Sequence, residues 1–436
     1  MEGPKTFSKP VIVIGGSVSG LLQGLQMKRN GRDVIVLEQD PSESRHNHES
    51  GVSIGPTVVK LLEKYDATGR PAAIPSRFLS VAWLKRLRVL NMVWKHNMSN
   101  WGCLYLILRA NYDGLPSEVV PDPPRPKPTD GAVEYHPGKR VVDVGYDQDK
   151  GLVHVHFVDS VTGEKGSLSS ELVIAADGVH STVRKLLGVP TRRQYAGYIG
   201  WRGTVPERLL SPSTIEYFSN RLNFSILGGM YFISYFIPTE TGHTEPGERL
   251  INWVWYYPVP EDSAEMAAMF TDTNGKLHPS TVPQGLVNPN VWAAQVARYI
   301  GNMTAPLGEV VSKTPAPFIT KVSEAQCGAA SFYGGRLVLV GDAFTGYRSH
   351  LGMASEQAAR HCVALEKVLR GEMTQEQYHK EVVFYSQRFI LLNRFIGLMG
   401  MGWIRALLST MFAYAWLMIT HTLGLATIKP NTSKYA

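Results

Sequence analysis

Three short stretches of this chain combine glycine with side chains able to meet phosphate or sugar. Gly15-Gly16-Ser17-Val18-Ser19-Gly20 follows the apolar run Val11-Ile12-Val13-Ile14. In such a turn Gly15 reverses the chain, the residue at Ser17 lets the backbone approach a pyrophosphate, and Gly20 lets helix and strand pack closely. Serine is the smallest replacement for the middle glycine, and its hydroxyl adds a donor toward phosphate. The helix that follows offers free N–H groups and a partial positive charge to the same oxygens. Glu38 closes the next apolar run, Val34-Ile35-Val36-Leu37, where an acid can bond both ribose hydroxyls. The second stretch, Asp177-Gly178-Val179-His180-Ser181-Thr182-Val183-Arg184, leaves another apolar run at a glycine, with Ser181 and Arg184 at helical spacing. Alone it reads equally as a capped helix with a solvated arginine. The third, Gly341-Asp342-Ala343, places a carboxylate after Leu337-Val338-Leu339-Val340, where it can accept a sugar-alcohol hydroxyl or simply cap a helix.

The elements that must position these groups follow from hydrophobic patterning. Residues 11–14 and 34–37 read as buried parallel strands, because apolar residues run without alternation. With the helix through Leu21, Leu22, Leu25 and Met27 they form a βαβ unit that opens a doubly wound sheet. A helix around Tyr105–Tyr112 precedes Pro121-Asp122-Pro123-Pro124-Arg125-Pro126-Lys127-Pro128, whose X-Pro restrictions predict a surface loop. Val141–Val144 and Leu152–Val158 alternate and predict an antiparallel meander. From about 195 to 320 strand signals dominate, including Tyr231–Ile237 and Leu250–Tyr257, with one helical stretch near Val291–Ile300. After 341 the pattern is helical. The third stretch returns the chain to the nucleotide site that the first opens, which suits one long cofactor gripped at both ends and points to FAD; the expected fold is α/β: a Rossmann-type FAD-binding domain with an inserted, mostly antiparallel β substrate domain and a C-terminal helical region. The expected boundaries are 10–190 for the first part of the FAD-binding domain, 191–325 for the substrate domain, 326–385 for the return segment and 386–436 for the terminal helices.

In this order and at these separations the three motifs resemble those of the group A flavin monooxygenases, the para-hydroxybenzoate hydroxylase fold, over about residues 10 to 400. Tyr198-Ile199-Gly200-Trp201-Arg202-Gly203-Thr204-Val205-Pro206-Glu207, Asn252-Trp253-Val254-Trp255-Tyr256 and Arg348-Ser349-His350 resemble the branch of 2,6-dihydroxypyridine hydroxylase-like enzymes and their fungal relatives. Ser349 departs from that branch, which has proline there. The resemblance implies FAD and NADPH as cofactors, O2 as co-substrate and a small electron-rich molecule as substrate. It further implies that Gly15, Gly16, Ser17 and Gly20 cradle FAD, that Glu38 holds the adenosine ribose, and that Arg109 contacts the cofactor from the side. Gly51 would stand where the backbone passes FAD, and Asp342 would bind ribitol. Gly352 to Ser355 would present N–H groups to the flavin's pyrimidine edge, where reduced flavin carries negative charge. Asp177 and Arg184 belong to the motif associated with both FAD and NADPH.

For the reaction itself two residues stand out. Arg202, on an expected strand, resembles the substrate-domain arginine of the fungal relatives, and Tyr235, in the next aromatic strand, can share or remove a phenolic proton. Both are also ordinary strand residues. The expected activity is hydroxylation or epoxidation of an intermediate of secondary metabolism. A flavin-dependent oxidase, dehydrogenase or halogenase is the alternative within enzymes, and a flavin-binding, membrane-associated accessory protein without turnover is the alternative outside them. Trp253-Val254-Trp255-Tyr256-Tyr257-Pro258 approaches the Trp-x-Trp-x-Ile-Pro signature of halogenases, but Tyr257 stands where isoleucine belongs.

Composition sets the remaining bounds. The chain has 436 residues, 44% hydrophobic and 19% charged, enough for two or three sub-domains with sizeable cores. Its net charge of +7 is scattered, with no basic run interleaved with aromatics, so a nucleic-acid partner is not expected. Cys103, Cys327 and Cys362 are widely spaced, which suggests a reducing compartment and no metal site. The short first apolar run leads into a glycine turn and does not read as a secretory signal, so an intracellular setting is expected. The four Asn-x-Ser/Thr triplets, at Asn97, Asn223, Asn302 and Asn431, are then chance occurrences. Ala406–Ile428 contains no Asp, Glu, Lys or Arg and is close to the ~20 residues that cross a bilayer. It reads equally as a membrane anchor with the catalytic domain in the cytosol, a reading that Ser409, Thr410, Thr420, His421 and Thr422 weaken, and as a helix packed on the domain or lying in the interface.

Overall fold

The computed structural model describes residues 7–44 and 50–425. Its first layer is a six-stranded sheet in the order Ser331–Phe332, Leu337–Leu339, Val173–Ala175, Val11–Ile14, Val34–Leu37, Val133–His136. All neighbours are parallel except the first pair. The central strands are apolar throughout because the helix Val18–Arg29 covers one face and the three-stranded meander the other, leaving no solvated side to alternate toward. Ile14, Ala175 and Leu339 stand side by side in register, and Leu37 pairs with Ile14. The glycine turn, Glu38, Asp177 and Asp342 therefore all leave the sheet at the same carboxyl edge, where open α/β sheets bind their ligands. That juxtaposition comes from sheet order alone.

The second layer is a nine-stranded sheet, ordered Thr281–Val282, Phe318–Cys327, Thr191–Pro206, Leu250–Pro258, Tyr231–Ile237, Arg221–Ile226, Ile74–Trp83, Arg86–Asn100, Gly51–Ile54. It draws three strands from residues 51–100, which sequence patterning had grouped with the FAD-binding domain. Those segments do not show the run of buried apolar residues that marks a parallel strand, and only pairing with distant partners reveals their place. The meander is present as Lys139–Asp147, Leu152–Asp159 and Lys165–Ser170.

Successive residues of the second sheet point to opposite faces. Trp201, Trp253, Trp255, Phe232 and Phe236 fill a core on one side, while Tyr198, Tyr231, Tyr235, Val254 and Tyr256 line the other. The lined face is covered by the long helix Gln375–Met401, which approaches through two glycines. A Cβ on Gly400 would lie 2.3 Å from Cδ1 of Tyr231. Gly400→Ala is therefore expected to destabilise the protein by about 1–3 kcal/mol through overpacking, although alanine gains about 1 kcal/mol in helix propensity. Thermal denaturation checks this, and a stabilised variant would show that helix and ring have room to part.

The C-terminal helix Ile404–Thr422 corrects the membrane-span reading. Among the described residues no helix is long and apolar enough to cross a membrane. Serine, threonine and histidine dilute its apolar content, Gly402 in the left-handed conformation separates it from the long helix, and Gly424 follows its end. Residues 426–428 of the expected span, and Asn431, lie outside the described residues.

Candidate functional site

At the carboxyl edge of the first sheet lies a cavity of about 310 Å³, walled by Gly15, Ser17, Glu38, Lys139, Asp177 and His180 among others. Its floor cannot tolerate side chains. Gly15 has φ +103°, and a Cβ there would lie 2.5 Å from the Ala176 carbonyl oxygen. A Cβ on Gly20 would lie 1.8 Å from the Gly15 oxygen. Ser17 precedes the helix Val18–Arg29 without capping it, so its hydroxyl makes no cap bond. Glu38 is buried; Oε2 accepts from the Gly16 N–H at 2.7 Å and Oε1 from the Asp40 N–H at 2.9 Å. The acid thus shapes the glycine turn from below.

Asp177 accepts from the Val183 N–H at 3.0 Å through Oδ2, while buried Oδ1 has no hydrogen-bond partner among the described residues. Burial raises its carboxyl, an effect offset by the Ser181 hydroxyl and the N–H groups of the following turn. Arg184 ties the second motif to the third. Its Nη1 donates to the Ala343 carbonyl at 2.6 Å and the Asp342 carbonyl at 3.3 Å, and Nη2 donates to the Val179 carbonyl at 2.7 Å. The Asp342 side chain accepts no hydrogen bond from any described residue, and burial pushes its carboxyl up to about 6, against the pull of Arg184. An unpartnered acid beside a backbone cradle fits a ligand that brings hydroxyl donors.

Arg109 is buried on the helix Trp101–Tyr112. Asp113 binds it at 2.8 Å, it donates to Tyr105 Oη at 2.6 Å, and its guanidinium stacks on the Tyr135 ring with 3.6 Å to the centroid. Tyr135 in turn lies against Gly16, whose Cβ would meet Oη at 2.3 Å. Arg109 thus stands one ring behind the glycine turn. Gly352, at φ +61°, packs on Ser53, and the Ser355 hydroxyl donates to the Ser53 carbonyl. Gly51, on the last strand of the second sheet, packs against that sheet's central strands: its N–H donates to Asn252 Oδ1 at 3.0 Å, and a Cβ would lie 2.6 Å from Tyr235 Oη.

Arg202 shares the lined face of the second sheet with Tyr198 and Val254. Its Nη2 donates to Ser349 Oγ at 2.6 Å, while Nε has no acceptor among the described residues. The hydroxyl of Ser349 makes a contact that proline could not. Burial holds the Tyr235 phenol well above its ordinary pKa, with Arg202 opposing in part. The phenol therefore stays protonated and can offer a hydrogen bond. Trp253 and Trp255 point into the core on the far face, away from this site.

Several contributors escape a reading by motif. His361 accepts from the Gly341 N–H at 3.0 Å through Nδ1, which requires a neutral ring; burial lowers its pKa to about 3. Glu356 accepts from the Thr57 N–H at 2.9 Å and caps the helix Pro56–Tyr65, joining the return segment to it. His350 is bonded through both ring nitrogens. All three lie in or beyond the loop after Gly341-Asp342; the sequence shows His361 and Glu356 only as polar residues inside an apolar helical pattern, and His350 only as part of Arg348-Ser349-His350. Among the described residues no cluster of His, Cys, Asp or Glu suits a metal ion.

A family model described as FAD binding domain-like matches residues 195–324. The chain is 27% identical to 2,6-dihydroxypyridine 3-monooxygenase of Paenarthrobacter nicotinovorans, covering 82% of both chains. It is 25% identical to 6-hydroxynicotinate 3-monooxygenase of Bordetella bronchiseptica, covering 85% of this chain and 84% of the relative. Among solved structures, 2,6-dihydroxypyridine-3-hydroxylase from Arthrobacter nicotinovorans superposes with a TM-score of 0.74 at 23% identity, over 91% of this chain and 92% of the other. Klebsiella pneumoniae HpxO, complexed with FAD and uric acid, superposes with a TM-score of 0.65 at 20% identity, over 96% of each chain.

Proposed function

We propose that this chain, an FAD-dependent monooxygenase close to 2,6-dihydroxypyridine 3-monooxygenase and the related group A flavin monooxygenases, uses NADPH and O2 to hydroxylate a planar, electron-rich small molecule. The observation that carries this reading is the meeting of two sites: three cofactor loops on adjacent parallel strands, and beside them a sheet face rich in tyrosine with Arg202 among its residues. Bound FAD would supply the redox chemistry, taking hydride from NADPH and activating O2. The glycine turn, Glu38, Asp177 and Asp342 would hold it, and Gly352 to Ser355 would lie beside its ring.

The residues of the second sheet do the rest. Tyr198, Tyr231, Tyr235 and Tyr256 form an aromatic wall; His350 and Ser349 hold the Tyr198, Tyr231 and Tyr256 hydroxyls, and the Tyr235 hydroxyl beside Arg202 suits an aromatic ring bearing oxygen. Arg202 offers its unpaired N–H to a substrate oxygen and favours the form carrying negative charge there, which makes the ring more electron-rich. The covering helix and return loop exclude water from this face. A secondary-metabolite intermediate of this type, and epoxidation in place of hydroxylation, fit the same wall.

Purified protein supplied with NADPH and a panel of hydroxylated aromatic and N-heteroaromatic rings tests this. Ring-stimulated NADPH oxidation with a product heavier by one oxygen is expected. Stimulated oxidation whose product has lost two hydrogens, or gained a halogen when halide is present, would replace the reading.

A further inference from the structure

The loop that begins at Gly341-Asp342 reaches the tyrosine wall through three consecutive residues. Arg348 Nε faces Glu324 Oε2 at 2.9 Å. Ser349 accepts from Arg202 through Oγ, and its carbonyl accepts from the Tyr256 hydroxyl at 2.7 Å. His350 sits between two tyrosines: Nε2 is 2.7 Å from Tyr198 Oη, and Nδ1 is 2.7 Å from Tyr231 Oη. Tyr256 packs edge-on against the imidazole, with centroids 4.6 Å apart. From the other side Gly397 closes the space, since a Cβ there would lie 2.8 Å from Nε2.

The proton count in this triad is fixed. Burial, with the Arg348 and Arg202 guanidinium groups nearby, holds the imidazole well below its ordinary pKa, so the ring is neutral. A neutral imidazole has one N–H and one lone pair, so it donates to one tyrosine and accepts from the other. Tyr198 and Tyr231 are both held well above the usual phenol pKa by burial, and so stay protonated. Three protons serve two bonds, and one phenol keeps a free donor. The ring's tautomer decides which one.

We propose that His350 is a positioning residue for oxygenation: it sets the directions of the Tyr198 and Tyr231 hydroxyls and, with Ser349, keeps the substrate wall in register with the loop that carries Asp342. The role rests on the monooxygenase reading. Its chemistry is that of a clamp between the cofactor loop and the substrate face, and it requires no contact between His350 and the substrate.

The test uses the FAD-loaded enzyme with His350→Phe, which keeps an aromatic ring and loses both bonds, and His350→Gln, which retains one donor and one acceptor. Two quantities are read: product formed per NADPH consumed, and the substrate KM. His350→Phe is expected to lower the first and raise the second by about tenfold, the scale of a lost buried hydrogen bond, and His350→Gln to recover part of both. If His350→Phe fails to retain FAD, Tyr231→Phe carries the test, with a smaller shift of the same sign expected. A variant that lowers thermal stability while the surviving holoenzyme keeps the wild-type ratio and KM would overturn the role alone. Wild-type enzyme that oxidises NADPH with every ring offered and never forms an oxygenated product would overturn the monooxygenase reading, and the role with it.

Discussion

Asp342→Asn is expected to strengthen the FAD-free protein at pH 8 while weakening its hold on FAD. Burial raises the Asp342 carboxyl from 3.8 to about 6. Between those values the folded state keeps a proton that the unfolded chain has released, so stability falls as pH rises through the window and the loss is complete above it. At neutral pH the charged side chain costs the fold on the order of 2–3 kcal/mol, which an amide avoids. The two proteins should therefore melt alike near pH 4 and diverge at pH 8, with the variant higher. FAD affinity should fall by about ten- to a hundredfold, because an amide oxygen is a weaker acceptor than a carboxylate. Melting curves of the FAD-free proteins at both pH values, with flavin fluorescence titrations, check the pair of effects. Equal stability at pH 8 would mean that water reaches the carboxylate freely.

The second large effect is expected at Arg184. Its guanidinium donates to three backbone carbonyls, those of Val179, Asp342 and Ala343, and is itself buried. Arg184→Met keeps much of the side-chain volume and leaves these acceptors without a charged donor, at an expected cost of about 3 kcal/mol. Arg184→Lys should recover only part, because an ammonium cannot reproduce the planar fork. FAD should bind more weakly to both variants, since the Gly-Asp loop loses its tie to the Asp-Gly loop. Urea unfolding with and without FAD separates the two contributions. Wild-type unfolding together with wild-type FAD affinity in Arg184→Met would show that the loops hold their arrangement without this link.

These predictions differ in what made them visible. Asp342 announced itself by type and position, since a carboxylate at the end of a buried strand after glycine is legible as local sequence. Arg184 was legible as a candidate, but its partners were not, because they are carbonyls that any residue could supply. His350 and His361 were less legible still. Their functional contacts join a return loop or return helix to a glycine N–H or to tyrosines on distant strands, and no spacing rule connects such positions. Arg109 shows the intermediate case: its helix was expected, while its packing behind Tyr135 depends on the edge strand Val133–His136 joining the first sheet.

By itself, the sequence determined the central parallel strands of the first sheet, the three glycine-containing loops that leave it and the aromatic strands Tyr231–Ile237 and Leu250–Tyr257. Each of these is a local pattern: unbroken apolar runs for strands buried on both faces, glycine where a Cβ would strike backbone, alternation where a strand has two different sides. Tertiary structure alone decided that residues 51–100 extend the second sheet and that Ser349 meets Arg202. It also placed a neutral histidine between two tyrosines and separated the helix Ile404–Thr422 from the long helix before it. Those outcomes depend on which distant segments pair and on what each buried polar group finds opposite it, and such partnerships are set by the packing of the whole chain.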